Sequence, residues 1–265
     1  MDHVLWCNRH PLVLPDIVRG EGCYLYDLDG RKYLDLESGI WCLPLGHCHP
    51  QINDAMRAQA DILMHSGYCY ANPVMEQASC AVLDILNMPD GKCVFLSSGS
   101  EAVEFGVQAL RKITARPLIL ALSDSFLGSY GSAGSKRADE WHLFDWQKCM
   151  VCNSSDECDP ECRYFSEIPF DRIGGFVFEP GSSSGLVRFP PKSFIQNIVN
   201  FIRQHDGFIQ INEITTGFGR TGKWFGFQHY DINPDMVSLG KGLGNGYPVS
   251  AIAMTPEIIE HLNKM

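Results

Sequence analysis

Nowhere in the sequence do Lys and Arg gather into a block or a stripe, and 21 basic against 31 acidic side chains leave a formal net charge of −10. Partners bound mainly by phosphate neutralisation require such a basic surface, so nucleic acid is excluded as an expected ligand. Long apolar runs are also missing: none approaches the roughly 20 residues that cross a bilayer. The opening MDHVLWCNRH has no charged, apolar and small-residue order of the kind that marks a secretory signal. These absences point to a cytoplasmic protein with no membrane partner. No low-complexity tract and no internal repeat are visible either, so disorder is not the theme.

What is present suits a folded body. A chain of 265 residues can bury a substantial core, enough for one large domain or one and a half, and its 45% hydrophobic and 20% charged residues are ordinary soluble usage. Its eleven cysteines, an odd number scattered along the chain, fit reduced thiols better than a disulfide framework. Cys149, Cys152, Cys158 and Cys162 give the spacing C-x2-C-x5-C-x3-C, and four thiolates could hold zinc or an iron–sulfur centre. The middle gap is shorter than the usual zinc patterns. No metal is therefore expected, and the stretch reads as a Cys-rich surface loop.

Along the chain, YLYDLDGRKYLDLESG reads as two strands around a turn at Asp29 and Gly30, so residues 1–45 are expected to be a β-rich segment with a hairpin. From residue 46 to 265 the pattern becomes helix and strand in alternation. Pro73–Leu86 has apolar residues at helical spacing, and 94–98 reads as a buried strand, with a further helix starting near Glu101. Short apolar runs at LILAL, FVFE, FIQIN, MVSL and VSAIAM supply further strands. The fold class expected is α/β, a mainly parallel sheet with helices on both faces. Residues 135–168 have no clear period and read as an excursion from the domain.

Three stretches carry chemistry. Ser97-Ser98-Gly99-Ser100-Glu101 follows a strand and enters a helix, where exposed N–H groups and hydroxyls can cradle an anion, although a Ser-rich cap without a ligand has the same sequence. The strand 208–212 leads to Asn212, Glu213 and Ile214, and alternation sets Asn212 and Ile214 on one face and Glu213 on the other. Lys241 lies among Gly240, Gly242 and Gly244 after another strand, accessible enough to be a nucleophile or simply a surface lysine in a flexible loop. A fourth stretch, Gly217 to Lys223, spells G-x-x-x-x-G-K. Trp224 stands where a nucleotide hydrolase needs Ser or Thr, and no good helix follows, so that function is set aside.

In order and spacing these blocks resemble the class III aminotransferases, fold type I enzymes that use pyridoxal 5'-phosphate. The resemblance covers residue 20 to the end, through LGHCHP at 45–50, SSGSEAVE at 97–104, Glu179-Pro180, INEITTGFGRTG and LGKGLGNGYPVSA. It implies that Lys241 holds the cofactor as a Schiff base and shuttles the proton in transamination. Gly99 and Ser100 match the phosphate-binding turn, and Phe126 matches the aromatic residue stacked on the pyridine, with Ile214 on its other face. Glu179 matches the acidic residue near the cofactor, and Thr215 the side chain near its phenolic oxygen. Ile40-Trp41-Cys42 matches a segment lining the substrate pocket, which makes Trp41 a substrate-binding candidate.

Two departures accompany the match. Asn212 stands where the family has an aspartate facing the pyridine nitrogen, and a neutral amide does not hold that nitrogen protonated by charge. The aromatic-His-Gly motif reads Phe126-Leu127-Gly128, without the histidine. The family also continues beyond the lysine into more strands and a C-terminal small domain, so the resemblance implies a large domain incomplete on its C-terminal side and a small domain absent. The implied activity is transfer of an amino group from an amine or amino-acid donor to an oxo-acid or aldehyde acceptor, by a homodimer. The rivals are a catalytically impaired homologue or partner subunit, and an aminomutase, racemase or decarboxylase on the same scaffold.

Overall fold

The computed structural model describes residues 3, 12–14, 16–67, 69–151, 158–184 and 187–264. Those up to Ser66 form one compact unit and those from Gly67 another.

In the first unit, β1 (Ile17–Glu21), β2 (Tyr24–Asp27) and β3 (Lys32–Leu34) make an antiparallel meander in that order. The turn from β2 to β3 uses Gly30 at φ 80, a conformation that favours glycine. Next comes α1 (Ser38–Trp41), four residues wound in the left-handed sense, with φ of 56, 61, 56 and 64 at Ser38, Gly39, Ile40 and Trp41. Such a conformation costs about 1–2 kcal/mol for each non-glycine residue. Asp35 offsets part of that cost: its Oδ1 accepts from the Glu37 and Ser38 amides, both at 2.9 Å, and its Oδ2 pairs with His47 Nε2 at 2.7 Å. The helix α2 (Pro50–Ile62) completes the unit.

The second unit opens with α3 (Pro73–Leu86), whose ends are written in the sequence. Asn72 Oδ1 accepts from the Val74 amide, Pro73 occupies the first turn, and Asn87 closes the helix at φ 58. There follow β4 (Lys92–Leu96), α4 (Gly99–Thr114), β5 (Leu118–Leu122), α5 (Gly131–Ser135), β6 (Trp141–Phe144), β7 (Ile173–Phe178), α6 (Lys192–Gln204), β8 (Phe208–Asn212), β9 (Met236–Leu239), β10 (Ser250–Met254) and α7 (Pro256–Asn263). Seven strands form one sheet in the order β4-β10-β9-β8-β7-β5-β6. From β9 to β6 every pairing is parallel, while β10 runs antiparallel to both of its neighbours.

Both faces of this sheet are buried, and residue parity decides which face a side chain serves. Leu118, Leu120, Leu122, Phe176, Phe178, Ile209 and Ile211 join the core that includes Val82 and Leu86 of α3 and Phe194, Ile195 and Ile198 of α6. Ile119, Ala121, Val177 and Phe208 join the core that includes Val103, Val107 and Leu110 of α4 and Ile258 of α7. The mainly parallel, doubly covered sheet matches the expectation. One element differs: residues 135–168 are not wholly an excursion, because Trp141–Phe144 pairs with β5 as the parallel edge strand. Its four residues are too few for a periodic pattern, and its anchors are the buried Trp141 and Phe144 at its two ends.

Candidate active site

Open parallel sheets present their loops at the carboxyl ends of the strands. Five loops meet that edge here, following β4, β5, β7, β8 and β9, and they carry Gly99 and Ser100, Phe126, Glu179, Asn212 to Thr215, and Lys241 respectively. Parity continues one step past each strand. Asn212 shares the α4 side with Gln210, whose Nε2 donates to the Val103 carbonyl of α4 at 3.0 Å, and Glu179 follows Val177 on that same side. Glu213, of opposite parity, turns away from it.

The start of α4 is a built helix N-terminus. Ser98 Oγ accepts from the Glu101 amide, and Glu101 Oε2 accepts from the Ser98 and Ser97 amides at 2.6 and 3.1 Å. The amides of Gly99 and Ser100 have no acceptor among the described residues. Ser100 Oγ accepts from the Ser129 amide at 3.1 Å, which joins this turn to the loop after β5. A Cβ on Gly99 would come within 2.4 Å of Ile214 Cδ1, so the glycine is what lets Ile214 lie against the turn.

Lys241 adopts φ 43 and its Nζ donates to Thr215 Oγ1 at 2.8 Å. Glu179 is almost wholly buried, and its Oε2 accepts from the Phe126 amide at 2.8 Å while Oε1 accepts from Ser183 Oγ at 2.5 Å. Burial pushes its carboxyl up to about 7, opposed by those donors and by the positive charge of Lys241. Asn212 Nδ2 donates to the Phe126 carbonyl at 3.0 Å, and Asn212 Oδ1 accepts from the Ile214 amide at 3.2 Å. Phe126, Glu179 and Asn212 therefore form one connected group, Lys241 and Thr215 a bonded pair, and Gly99 and Ile214 a packed pair. Trp41 belongs to the first unit.

Residues that sequence reasoning did not single out complete the setting. Lys136 donates to the Ser125 carbonyl, and burial lowers its pKa against the opposing charges of Glu179 and Asp124. Ser182 Oγ donates to the Asp124 carbonyl at 2.6 Å, and Trp146 Nε1 to Asp124 Oδ1 at 2.8 Å. The serine run after Glu179-Pro180 was a usable signal for Ser182 and Ser183. Lys136 and Asp124 had none, lying in or beside the aperiodic stretch.

The remaining motifs have other settings. The G-x-x-x-x-G-K stretch is a tight turn with Phe218, Gly219 and Gly222 at φ 58, 84 and 87, followed by a short 3-10 turn rather than a long helix. Of the cysteine cluster, Cys149, Cys158 and Cys162 line a cavity of about 600 Å³ with Tyr164, Phe165 and Phe194, and no residue of the Lys241 group lines it. Cys152 lies outside the described residues. Among the described residues no three His, Cys, Asp or Glu side chains are arranged to hold a metal ion.

A family model described as aminotransferase class-III matches residues 7–265. An acetylornithine aminotransferase of Methanopyrus kandleri is 29% identical over 97% of this chain and 65% of its own length. One from Aquifex aeolicus is 30% identical over 96% of this chain and 68% of its own. Among solved structures, an S-selective transaminase from Arthrobacter sp. with alanine bound aligns with a TM-score of 0.87 at 25% identity, over 100% of this chain and 65% of that one. The chain thus spans about 65% of the length of the first of these relatives.

Proposed function

The chain belongs to the aminotransferase class-III family, and from that premise we propose that it transfers an amino group from an amine or amino-acid donor to an oxo-acid or aldehyde acceptor, with Lys241 as the residue that holds pyridoxal phosphate. The observation that carries this reading is the Lys241 amine, bonded to Thr215 Oγ1 at 2.8 Å beside a buried carboxylate, at the edge where five strand-end loops converge.

The residues present fit the group. Two amides without acceptors at the start of a 16-residue helix, at Gly99 and Ser100, suit a phosphate. Phe126 is 46% exposed although both polar groups of its backbone are bonded, which suits a side chain available for stacking. When bound, pyridoxal phosphate supplies an aldehyde that condenses with amines and a ring that draws electrons from the amine-bearing carbon.

Lys241 would be the amine that holds the group and the base whose Nζ takes the proton from the donor's amine-bearing carbon and returns it. Thr215 directs that Nζ through its hydroxyl. Ile214 and Phe126 would flank the ring, and Glu179 holds Phe126 through its backbone N–H and shares the field of Lys241. Trp41, in the first unit, is the substrate-binding candidate, its left-handed backbone being the kind of strain that collects at functional sites. A homodimer in the cytoplasm remains the expected setting. No helix among the described residues is long and apolar enough to cross a membrane.

One observation favours a second reading. An amide at position 212 carries no charge to keep a ring nitrogen protonated, which suits a chemistry that needs a weaker electron sink or a chain of low turnover, and aminomutase, racemase and decarboxylase are the other activities on this scaffold. The test is product analysis after incubating the cofactor-loaded protein with amine donors. An oxo product released together with the aminated cofactor supports transamination. A racemised, shifted or decarboxylated amine over an unchanged cofactor supports the second reading.

A further inference from the structure

Asn212 has 3% of its surface exposed, and both ends of its amide are engaged. Nδ2 donates to the Phe126 carbonyl and Oδ1 accepts from the Ile214 amide. Those partners fix which end is nitrogen, because a carbonyl only accepts and a backbone N–H only donates. Glu179 takes the other side of Phe126 by accepting from its N–H. Phe126 is thus gripped through both polar groups of its own backbone by side chains 53 and 86 residues away, at the ends of the adjacent strands β7 and β8. An aspartate has the same shape but no proton to give, so it would set an anionic oxygen against the Phe126 carbonyl.

We infer that Asn212 is a positioning residue, an amide because only an amide accepts from Ile214 while donating to Phe126, and that with Glu179 it sets the Phe126 ring at the mouth of the site. The grip is made wholly within the chain. It rests on the proposed function only for what the ring then touches.

The test compares the parent with Asn212→Asp and Asn212→Ala in urea unfolding of the cofactor-free protein from pH 4.5 to 8.5, and in pyridoxal phosphate affinity by fluorescence quenching over the same range. Charged groups in the field of this grip are Glu179 itself, Lys241, which acts on Glu179, Lys136, which interacts with Glu179 and Asp124, and Glu213, next in sequence with opposite parity. Their titration is common to the parent and to Asn212→Ala, so the Asp variant is read against both, with the coupling of its carboxylate to Glu179 included. An acid opposed by a carbonyl has a raised pKa in the folded state, so its penalty is full above that pKa and disappears as pH falls.

The expected result is an Asp variant with a lower unfolding midpoint than the parent at pH 8.5 and a gap that closes toward pH 4.5, as the protonated carboxyl regains a donor. Pyridoxal phosphate affinity should fall by about tenfold in Asn212→Ala, which loses both contacts of the amide. The Ala variant should keep a gap independent of pH. Coincident parent and Asp unfolding profiles, or an Ala variant with the parent's cofactor affinity, would overturn the inference. Failure of the parent to bind the cofactor at all would overturn the functional reading instead, leaving the unfolding comparison to decide the grip.

Discussion

Glu179 balances opposing effects at a single residue. Burial favours its neutral form, while Phe126 N–H, Ser183 Oγ and the charge of Lys241 favour the carboxylate, and the outcome is a group pushed up to about 7. Because the folded-state pKa lies above the unfolded value, the folded protein retains a proton that the unfolded chain releases as pH rises from about 4.5 to about 7. Stability should therefore fall through that window and level off above it. Against Glu179→Gln, which does not titrate, the parent should lose roughly 3 kcal/mol between those limits; urea unfolding at stepped pH measures it, and parallel profiles would rule it out. Lys241 carries a different burden, a left-handed backbone at φ 43. Removing the side chain as Lys241→Gly should leave the protein about 1 kcal/mol more stable than Lys241→Ala, since only glycine accepts that conformation without strain, and paired thermal melts of the two variants check this.

Between elements, two buried polar contacts do most to fix the site's frame. Gln210 Nε2 bridges the Val103 carbonyl and Ser238 Oγ, and Ser238 Oγ donates to the Ala102 carbonyl at 3.2 Å, which ties β8 and β9 to the first turns of α4. Glu213 secures the turn beyond β8: its carboxylate accepts from Thr216 Oγ1 at 2.7 Å, the Gly226 amide at 2.9 Å and the Phe227 amide at 2.7 Å. Truncation as Glu213→Ala would orphan three buried donors and should cost about 3–5 kcal/mol in urea unfolding; a loss below about 1 kcal/mol would mean that water or a shifted turn replaces the carboxylate. At this scale much could be read from sequence. Helix α3 was legible to its ends because Asn72, Pro73 and Asn87 punctuate it, and β8 because FIQIN is apolar and β-branched between turn residues. The edge strand β6 was not, since four residues beside a cysteine-rich stretch carry no period.

Across the whole molecule, the sheet's composition and its mainly parallel sense were readable, but its one reversed strand was not. The run SAIAM is as apolar as its parallel neighbours, and nothing in it encodes that β10 runs the other way. The site residues were legible as separate motifs, whereas the grip of Asn212 and Glu179 on Phe126 exists only through long-range pairing, which no local pattern records. The left-handed Ser38–Trp41 turn was hidden for a related reason: Ile and Trp are residue types that sequence rules assign to ordinary backbone. If the strand-end loops close on pyridoxal phosphate, ligand at 100 times its Kd should raise the unfolding free energy by about 2.7 kcal/mol. An unchanged urea midpoint would mean that the folded chain does not bind it preferentially.

The most direct test of Lys241 as the cofactor-holding residue is borohydride reduction of the protein mixed with pyridoxal phosphate, followed by absorbance and peptide mapping of the adduct. The expected result is a single pyridoxyl group on the peptide containing Lys241, absent from Lys241→Ala. A stoichiometric adduct on Lys136 or on surface lysines, with Lys241 unmodified, would contradict it.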